Sequence, residues 1–315
     1  MIHFITHADD NYLPQARVML DSLYRRASEE ISGHIICLGD ARFPMSAYAN
    51  FGVYGLDWLL ENIDPGLALR LQDYRHHRTW KEFCWALEPV ILLHGMMAAL
   101  EEAGTPDSED PDFIVYVDAD SYFLADPIKA IRRDMSLPIS ALQNNEAEPM
   151  VGLTPHHFPA GQESRVDSVG YFNFGFGVFE PCATVISRVC EWIDLILGTG
   201  SGTAGQQSLD KWRATTGFVA ELRRGFNVGP WQRAEIKLFP DVPIIISDRV
   251  VDGNTIFEGG IPLISYHFHE FRRGPGRNTT AINGIEWNRT NYDIHPATIK
   301  TVYEPYEDEL AKWTL

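Results

Sequence analysis

Apolar and polar positions along this chain fall into two rhythms, one of strands and one of helices. Met1 to Ile5 is a short apolar run that reads as a strand, and the polar turn His7-Ala8-Asp9-Asp10-Asn11 follows it. Leu13, Ala16, Leu20, Leu23 and Tyr24 recur near i, i+3, i+7, i+10 and i+11, one face of a helix, with Asp10 or Asn11 placed as its N-cap. His34-Ile35-Ile36-Cys37-Leu38 is the next apolar run. Strand, helix and strand in that order predict a βαβ unit with a parallel pair, the start of a doubly wound α/β sheet. Further strands are expected at Ile114 to Val117, Gly177 to Phe179, Ile244 to Ile246 and Leu263 to His267. Trp80 to Leu100 carries a long helical pattern that Pro89 is expected to kink or split. Gly104 to Asp112 reads as an acidic loop, Gly198 to Gly205 as a Gly/Ser/Thr-rich loop, and Tyr303 to Trp313 as a last helix. No internal repeat is visible.

The 315 residues suffice for one large α/β domain with an appended C-terminal piece. With 26 Lys and Arg against 43 Asp and Glu, the net charge of -17 disfavours nucleic acid or an anionic membrane as the main partner. An anionic substrate therefore needs local help from a metal ion, a helix N-terminus or a few arginines. Cys37, Cys84, Cys182 and Cys190 form no C-x-x-C and sit among apolar residues, so they read as reduced core residues of a cytoplasmic protein. The opening residues lack a basic n-region and a long apolar h-region, which predicts no signal peptide. No uninterrupted apolar run approaches the roughly 20 residues of a membrane span, so no transmembrane segment is expected.

Candidate chemistry changes this picture most at Ile114-Val115-Tyr116-Val117-Asp118-Ala119-Asp120, an apolar strand that runs into two carboxylates. At the carboxyl edge of an open sheet such a pair suits a hard divalent cation; as a bare pattern it also suits a strand end. His7, Asp9, Asn11 and Tyr12 surround the turn after the first strand, where a planar base finds amides, a carboxylate and a ring, or where an ordinary capping turn sits. Tyr74 to Lys81 gathers cations in a chain poor in them, and Arg78 and Lys81 are candidate phosphate contacts. Asn173 is polar within an aromatic and glycine-rich run, Tyr171 to Phe179. In Ser265-Tyr266-His267-Phe268-His269 the two histidines fall on one strand face, and either is a candidate ligand beside Asp118 and Asp120. Arg272, Arg273 and Arg277 follow among glycines.

Taken in order, these segments resemble the GT-A glycosyltransferases, in particular the glycogenin-like and bacterial lipopolysaccharide galactosyltransferase group, family eight. Ala8 to Tyr12 is similar to that group's uracil-binding turn, Val115 to Asp120 to its D-x-D strand, and Phe172-Asn173-Phe174-Gly175 to its F-N-x-G segment. His267 matches the third metal ligand in a motif of the form H-x-x-G-x-x-K, and His269 is the alternative. Phe226 to Trp231 resembles an Asn-x-x-Pro-Trp segment of bacterial relatives and carries no assigned role. The resemblance implies a Rossmann-like, mostly parallel central sheet flanked by helices over residues 1–273, with 274–315 as a C-terminal extension. It implies sugar transfer with retention from a nucleotide diphosphate sugar, a UDP-sugar, with Mn²⁺ or Mg²⁺ held by Asp118, Asp120 and a histidine. Asp9, Asn11 and Tyr12 would take the base and ribose, Arg273 with Arg78 or Lys81 the diphosphate, and Asn173 and Gln206 the donor sugar. The acceptor, a saccharide, a lipid-linked sugar or a protein, is left open, with bacterial polysaccharide as the expected setting. Three departures stand out: Glu270 occupies the motif's glycine position, Arg273 its lysine position, and Gly205 precedes Gln206 where the group has an aspartate. The alternatives are a haloacid-dehalogenase-type phosphatase, whose D-x-D strand lies nearer the N-terminus, and a non-catalytic nucleotide-sugar binder.

Overall fold

The first βαβ unit forms as its pattern dictates in the computed structural model, which describes residues 2–40, 43, 48, 50–102, 113–136, 149–199, 204–215, 217–239, 241–251 and 254–314. Strand β1 (Ile2–Ala8) pairs in parallel with β2 (Ile31–Cys37), from Ile2 opposite Ile31 to Ala8 opposite Cys37. β1 is longer than the apolar run, so His7 belongs to the strand. Helix α1 (Leu13–Arg26) buries Ala16, Met19, Leu20 and Leu23 against it. Neither expected cap is used. Tyr12 holds the N-cap position without a side-chain bond, and Asp9 Oδ1 accepts from the amides of Asn11 (2.9 Å) and Tyr12 (3.2 Å).

β3 (Phe51–Gly55) extends the sheet beyond β2, and its two glycines hide it from a pattern search. After α2 (Leu56–Glu61) and α3 (Pro65–His77) comes α4 (Trp80–Glu102), opened by a capping box in which Thr79 and Glu82 bond each other's backbone amides. Pro89 lies inside α4 without splitting it. Phe83, Leu87, Val90, Ile91 and Met96 are buried in one core with Ile5 and Ile114, and this burial offsets the roughly 3 kcal/mol that an interior proline costs. On length and composition Trp80–Leu100 is apolar enough to cross a bilayer, but 56% of the window is buried within the protein.

β4 (Phe113–Val117) is buried throughout, and β5 (Ser121–Phe123) leaves the sheet after it. Helix α5 (Pro127–Met135), capped by Asp126, leads on to β6 (Val151–Pro155), β7 (Phe172–Phe179), α6 (Ala183–Thr199) and β8 (Val219–Glu221). The seven strands run in the order β3-β2-β1-β4-β7-β6-β8. β3, β2, β1 and β4 are mutually parallel, β7 is antiparallel to both its neighbours, and β6 and β8 are parallel. The chain turns from β1 outward to β2 and later back to β4, so the carboxyl ends of β1 and β4 meet at the topological switch point, where such sheets bind ligands.

β9 (Ile236–Leu238), β10 (Pro243–Val251) and β11 (Asn254–Pro262) form a separate antiparallel sheet. β12 (Ser265–His267) pairs with β5, while β13 (Arg272–Arg273), β14 (Thr279–Ile282) and β15 (Ile285–Asn288) form a small sheet ahead of α7 (Glu304–Ala311). One core joins Val18, Tyr122 and Leu124 to Tyr266, Phe268, Phe271, Trp287, Tyr303 and Tyr306. The four cysteines are free thiols; Cys37 is buried, whereas Cys190 is exposed and departs from the expected core setting. The expected loop Gly104 to Asp112, and residues 200–203 of the Gly/Ser/Thr-rich loop, lie outside the described residues.

Phe268 is fully buried and stacks on Tyr306 with ring centroids 3.7 Å apart. Phe268→Ala is expected to lower the unfolding free energy by about 3–5 kcal/mol, read from urea denaturation. An unchanged midpoint would show that this core does not hold α7.

Candidate functional site

The site begins where β4 runs out. Asp118 N donates to Gly175 O (3.0 Å), Ser121 N donates back to Asp118 O (3.1 Å), and the turn between them carries Asp118 and Asp120. β12 then arrives antiparallel to β5 with His267 opposite Ser121, and Phe268 N donates to Asp120 O (2.8 Å). This register sets His267 Nε2 3.5 Å from Asp118 Oδ2 and 3.3 Å from Asp120 Oδ1. Among the described residues these three form the one group of potential ligands, with donor atoms within 4.8 Å of one another. The Asp120 and His267 side chains are 9% and 6% exposed, and Asp118, at 27%, is the open side.

Burial raises both carboxyls, to about 6, against the opposing pull of His267 on Asp118 and of His269 on Asp120. It lowers His267, so the imidazole is neutral near pH 7. His267 Nδ1 lies 3.1 Å from Asn227 Oδ1, a carbonyl-type oxygen that only accepts, so Nδ1 carries the proton and Nε2 faces the carboxylates as a lone pair. Two carboxylates and one bare ring nitrogen, with no proton among them once the acids ionise, are a donor set that fits Mn²⁺ or Mg²⁺.

Neighbouring residues fix this geometry. A Cβ on Gly175 would overlap His267 Nδ1 and come within 2.8 Å of Asn227 Oδ1, so the F-N-x-G glycine is required by the histidine that sits over it. The register between β6 and β7 shifts after Leu153, and this bulge places Thr154 opposite Asn173. Tyr116, two residues before Asp118 and on the same strand face, donates its hydroxyl to Asp118 Oδ1 (2.9 Å) and stacks on Phe174. Trp231 donates to His156 O (2.8 Å) and stands edge-on to both His267 and His269. Half-buried Glu88 on α4 is pushed well above the usual carboxylate range, by desolvation and then by the charge of Asp118.

The other expected residues arrange around this centre. Asp9 receives the Asn11 and Tyr12 amides on one oxygen and Trp80 Nε1 (3.0 Å) on the other, tying the turn after β1 to the start of α4. The Tyr12 hydroxyl is raised by burial and then by Asp120, Asp9 and Asp118, which places it in the field of the carboxylate pair. Burial takes His7 down to about 4, against the pull of Asp9, and its Nδ1 lies 3.3 Å from the Tyr116 hydroxyl. His269 falls just past β12 and lies outside the three-donor group; its ring is 5.7 Å from that of His267, and burial lowers it to about 4. Lys81 lies over the Trp85 ring at 4.8 Å, near enough for its charge to act on His269. Arg78 is exposed above Tyr74 and lines an open cleft of about 460 Å³ with Arg70, Asp73 and His77. Arg273 is exposed on β13 over Trp287, and its neighbour Arg272 acts on Tyr12.

Asn173 and Gln206 point into the protein's own hydrogen bonds. Asn173 Oδ1 accepts from Gly175 N (3.0 Å) and Asn227 Nδ2 (2.7 Å). Gln206 Nε2 donates to Val169 O (2.7 Å), and its Oε1 accepts from Phe174 N (3.3 Å). Asp210 does not replace the carboxylate missing at Gly205, since both its oxygens receive Tyr171 N. Glu270, at the motif's glycine position, adopts the left-handed φ of 66° that explains a preference for glycine there, and its carboxylate holds Asn291. Sequence reasoning passed over Tyr116, Glu88, Thr154 and Trp80 and gave Asn227 no role. Strand alternation alone would have placed Tyr116 beside Asp118; the others join the site through contacts distant in sequence.

No family model matches the chain. Two Bacillus subtilis proteins are similar to it. YfnD is 24% identical over 99% of this chain and 89% of its own length. YfnF is 24% identical over 79% of this chain and 72% of its own length. Among solved structures, the galactosyltransferase LgtC, crystallised with donor and acceptor sugar analogues, superposes with a TM-score of 0.50 at 14% identity, over 99% of this chain and 96% of LgtC. The chain therefore has the GT-A fold.

Because the folded protein holds the Asp118 and Asp120 protons more tightly than the unfolded chain, it binds more protons between about pH 4 and 6, and stability falls as pH rises through that window. Thermal melts of metal-free protein should show this decline, and Asp120→Asn should flatten it; equal slopes would show that the pair is not strained. Gly175→Ala should displace His267 and weaken Mn²⁺ binding on the order of 10–100-fold by titration calorimetry.

Proposed function

We propose that this protein is a divalent-cation-dependent glycosyltransferase that takes a sugar from a nucleotide diphosphate sugar, a UDP-sugar, and transfers it with retention to a saccharide, lipid-linked or protein acceptor in the cytoplasm. The observation that carries this reading is the convergence of Asp118, Asp120 and the bare Nε2 of His267 at the switch point of a GT-A fold. Asp118, Asp120 and His267 would hold Mn²⁺ or Mg²⁺, which when bound supplies Lewis-acid stabilisation of the leaving diphosphate.

The chain's own groups do the rest. Tyr12 and Asn11 close over the base and ribose on a turn braced by Asp9, and His7 stays neutral beneath it. Arg273, with Lys81 in the first turn of α4 and Arg78 at the end of α3, would bring positive charge to phosphate in a chain that is otherwise strongly acidic. Tyr116 holds the Asp118 carboxylate in one rotamer, so little rearrangement is needed as the donor arrives. Asn173 and Gln206 border the donor sugar through the β7 backbone that they brace.

The phosphatase reading loses ground here, because Asp118 is engaged by Tyr116 and faced by His267 within a GT-A fold.

A panel of nucleotide sugars, each tested with and without Mn²⁺, should give a metal-dependent rise in melting temperature for UDP-sugars. Saturation at a hundredfold over the dissociation constant adds about 2.7 kcal/mol of stability. Asp120→Asn should lower donor turnover by on the order of 10²–10³-fold or more. Absence of any metal-dependent shift refutes the reading, and a shift without hydrolysis or transfer reassigns the protein as a nucleotide-sugar binder.

A further inference from the structure

The Asn173, Thr154 and Asn227 cluster behind His267 has a proton arrangement that follows from one backbone amide. Gly175 N can only donate, and it points at the Asn173 side chain at 3.0 Å, so the atom it meets is Oδ1, an acceptor. The Asn227 side chain meets that same oxygen at 2.7 Å, so the Asn227 atom there is the donor Nδ2, which also reaches Thr154 Oγ1 (2.9 Å) and Asn173 O (3.3 Å). The other end of Asn227 is then Oδ1, and it lies 3.1 Å from His267 Nδ1.

His267 Nδ1 must therefore donate, and Nε2 is left bare toward Asp118 and Asp120. The other end of Asn173 agrees. Its Nδ2 donates to His156 Nε2 (3.3 Å), which leaves the His156 proton on Nδ1, facing Tyr171 O at 3.3 Å. Asn227 is buried, 2% exposed, and adopts φ 51°, a left-handed conformation that asparagine tolerates better than most residues. The Asn-x-x-Pro-Trp segment thus supplies both the acceptor, Asn227, and the wall, Trp231, of one histidine.

We infer that Asn227, oriented by Asn173, is a positioning residue that locks His267 in its Nδ1–H tautomer and so presents Nε2 to the cation. This rests on the metal site of the proposed function, but the lock itself is readable without metal. In metal-free protein, long-range ¹H–¹⁵N correlation spectra, with His267 assigned by its loss in His267→Gln, should show the proton on Nδ1. Asn227→Gly removes the acceptor while suiting the left-handed backbone; it should mix the tautomers and weaken Mn²⁺ binding, measured by electron paramagnetic resonance, on the order of 10–100-fold. A proton on Nε2 in the wild type overturns the inference without any variant. So does an Asn227→Gly protein with unchanged tautomer and unchanged Mn²⁺ affinity. Wild-type protein that binds no Mn²⁺ refutes the functional reading instead, and the metal-free spectra still decide the lock.

Discussion

Two carboxylates and a ring nitrogen that share no proton are held together where β4 ends, and much of the surrounding structure is needed to keep them there. Such a group is repulsive once ionised. It persists because each member is fixed by bonds elsewhere: Asp118 by Tyr116 and the Gly175 carbonyl, Asp120 by the Phe268 amide, and His267 by Asn227. The β5 and β12 ladder is short, yet it joins the end of the sheet to a segment far along the chain. The aromatic core of Phe268, Tyr303 and Tyr306 lies directly behind that ladder and anchors it. Strain at the centre is thus balanced by ordinary burial around it.

The same constraint explains the glycines and turns nearby. Gly175 has no side chain because His267 occupies the space, and the bulge between β6 and β7 brings Thr154 into reach of Asn227. Glu270 accepts a left-handed backbone so that the chain can leave β12 toward the arginines of β13, and its contacts with Asn291 compensate part of the cost. The cations are sparse and local. Arg272 acts on Tyr12 and Lys81 on His269, two cations that reach the acidic centre in a chain of net charge -17.

Much of this was legible in the chain. The period of the apolar positions was enough for the opening βαβ unit, for β4 and for the helix pattern at Trp80, because burial on a sheet or helix face leaves a local signature. The continuity of α4 through Pro89, and β3 altogether, left no such signature: packing from other elements tolerates a proline inside α4 and two glycines inside a strand, and local preference carries no trace of such support. Asp9 closes the turn before the first helix without capping it, since the strand ahead of that turn runs on to Ala8.

By itself the sequence determined the α/β class, the D-x-D strand end and a short set of candidate donors, His267 and His269 among them. Only the tertiary structure brings His267 into one group with both carboxylates and leaves His269 outside it, because the β5 and β12 register sets His267 opposite Ser121. It alone also showed that Asn173 speaks to the site through Asn227, and that Thr154 and Trp231 belong to it. Those links are hydrogen bonds and ring contacts between residues tens of positions apart, and in a single sequence no periodicity connects them.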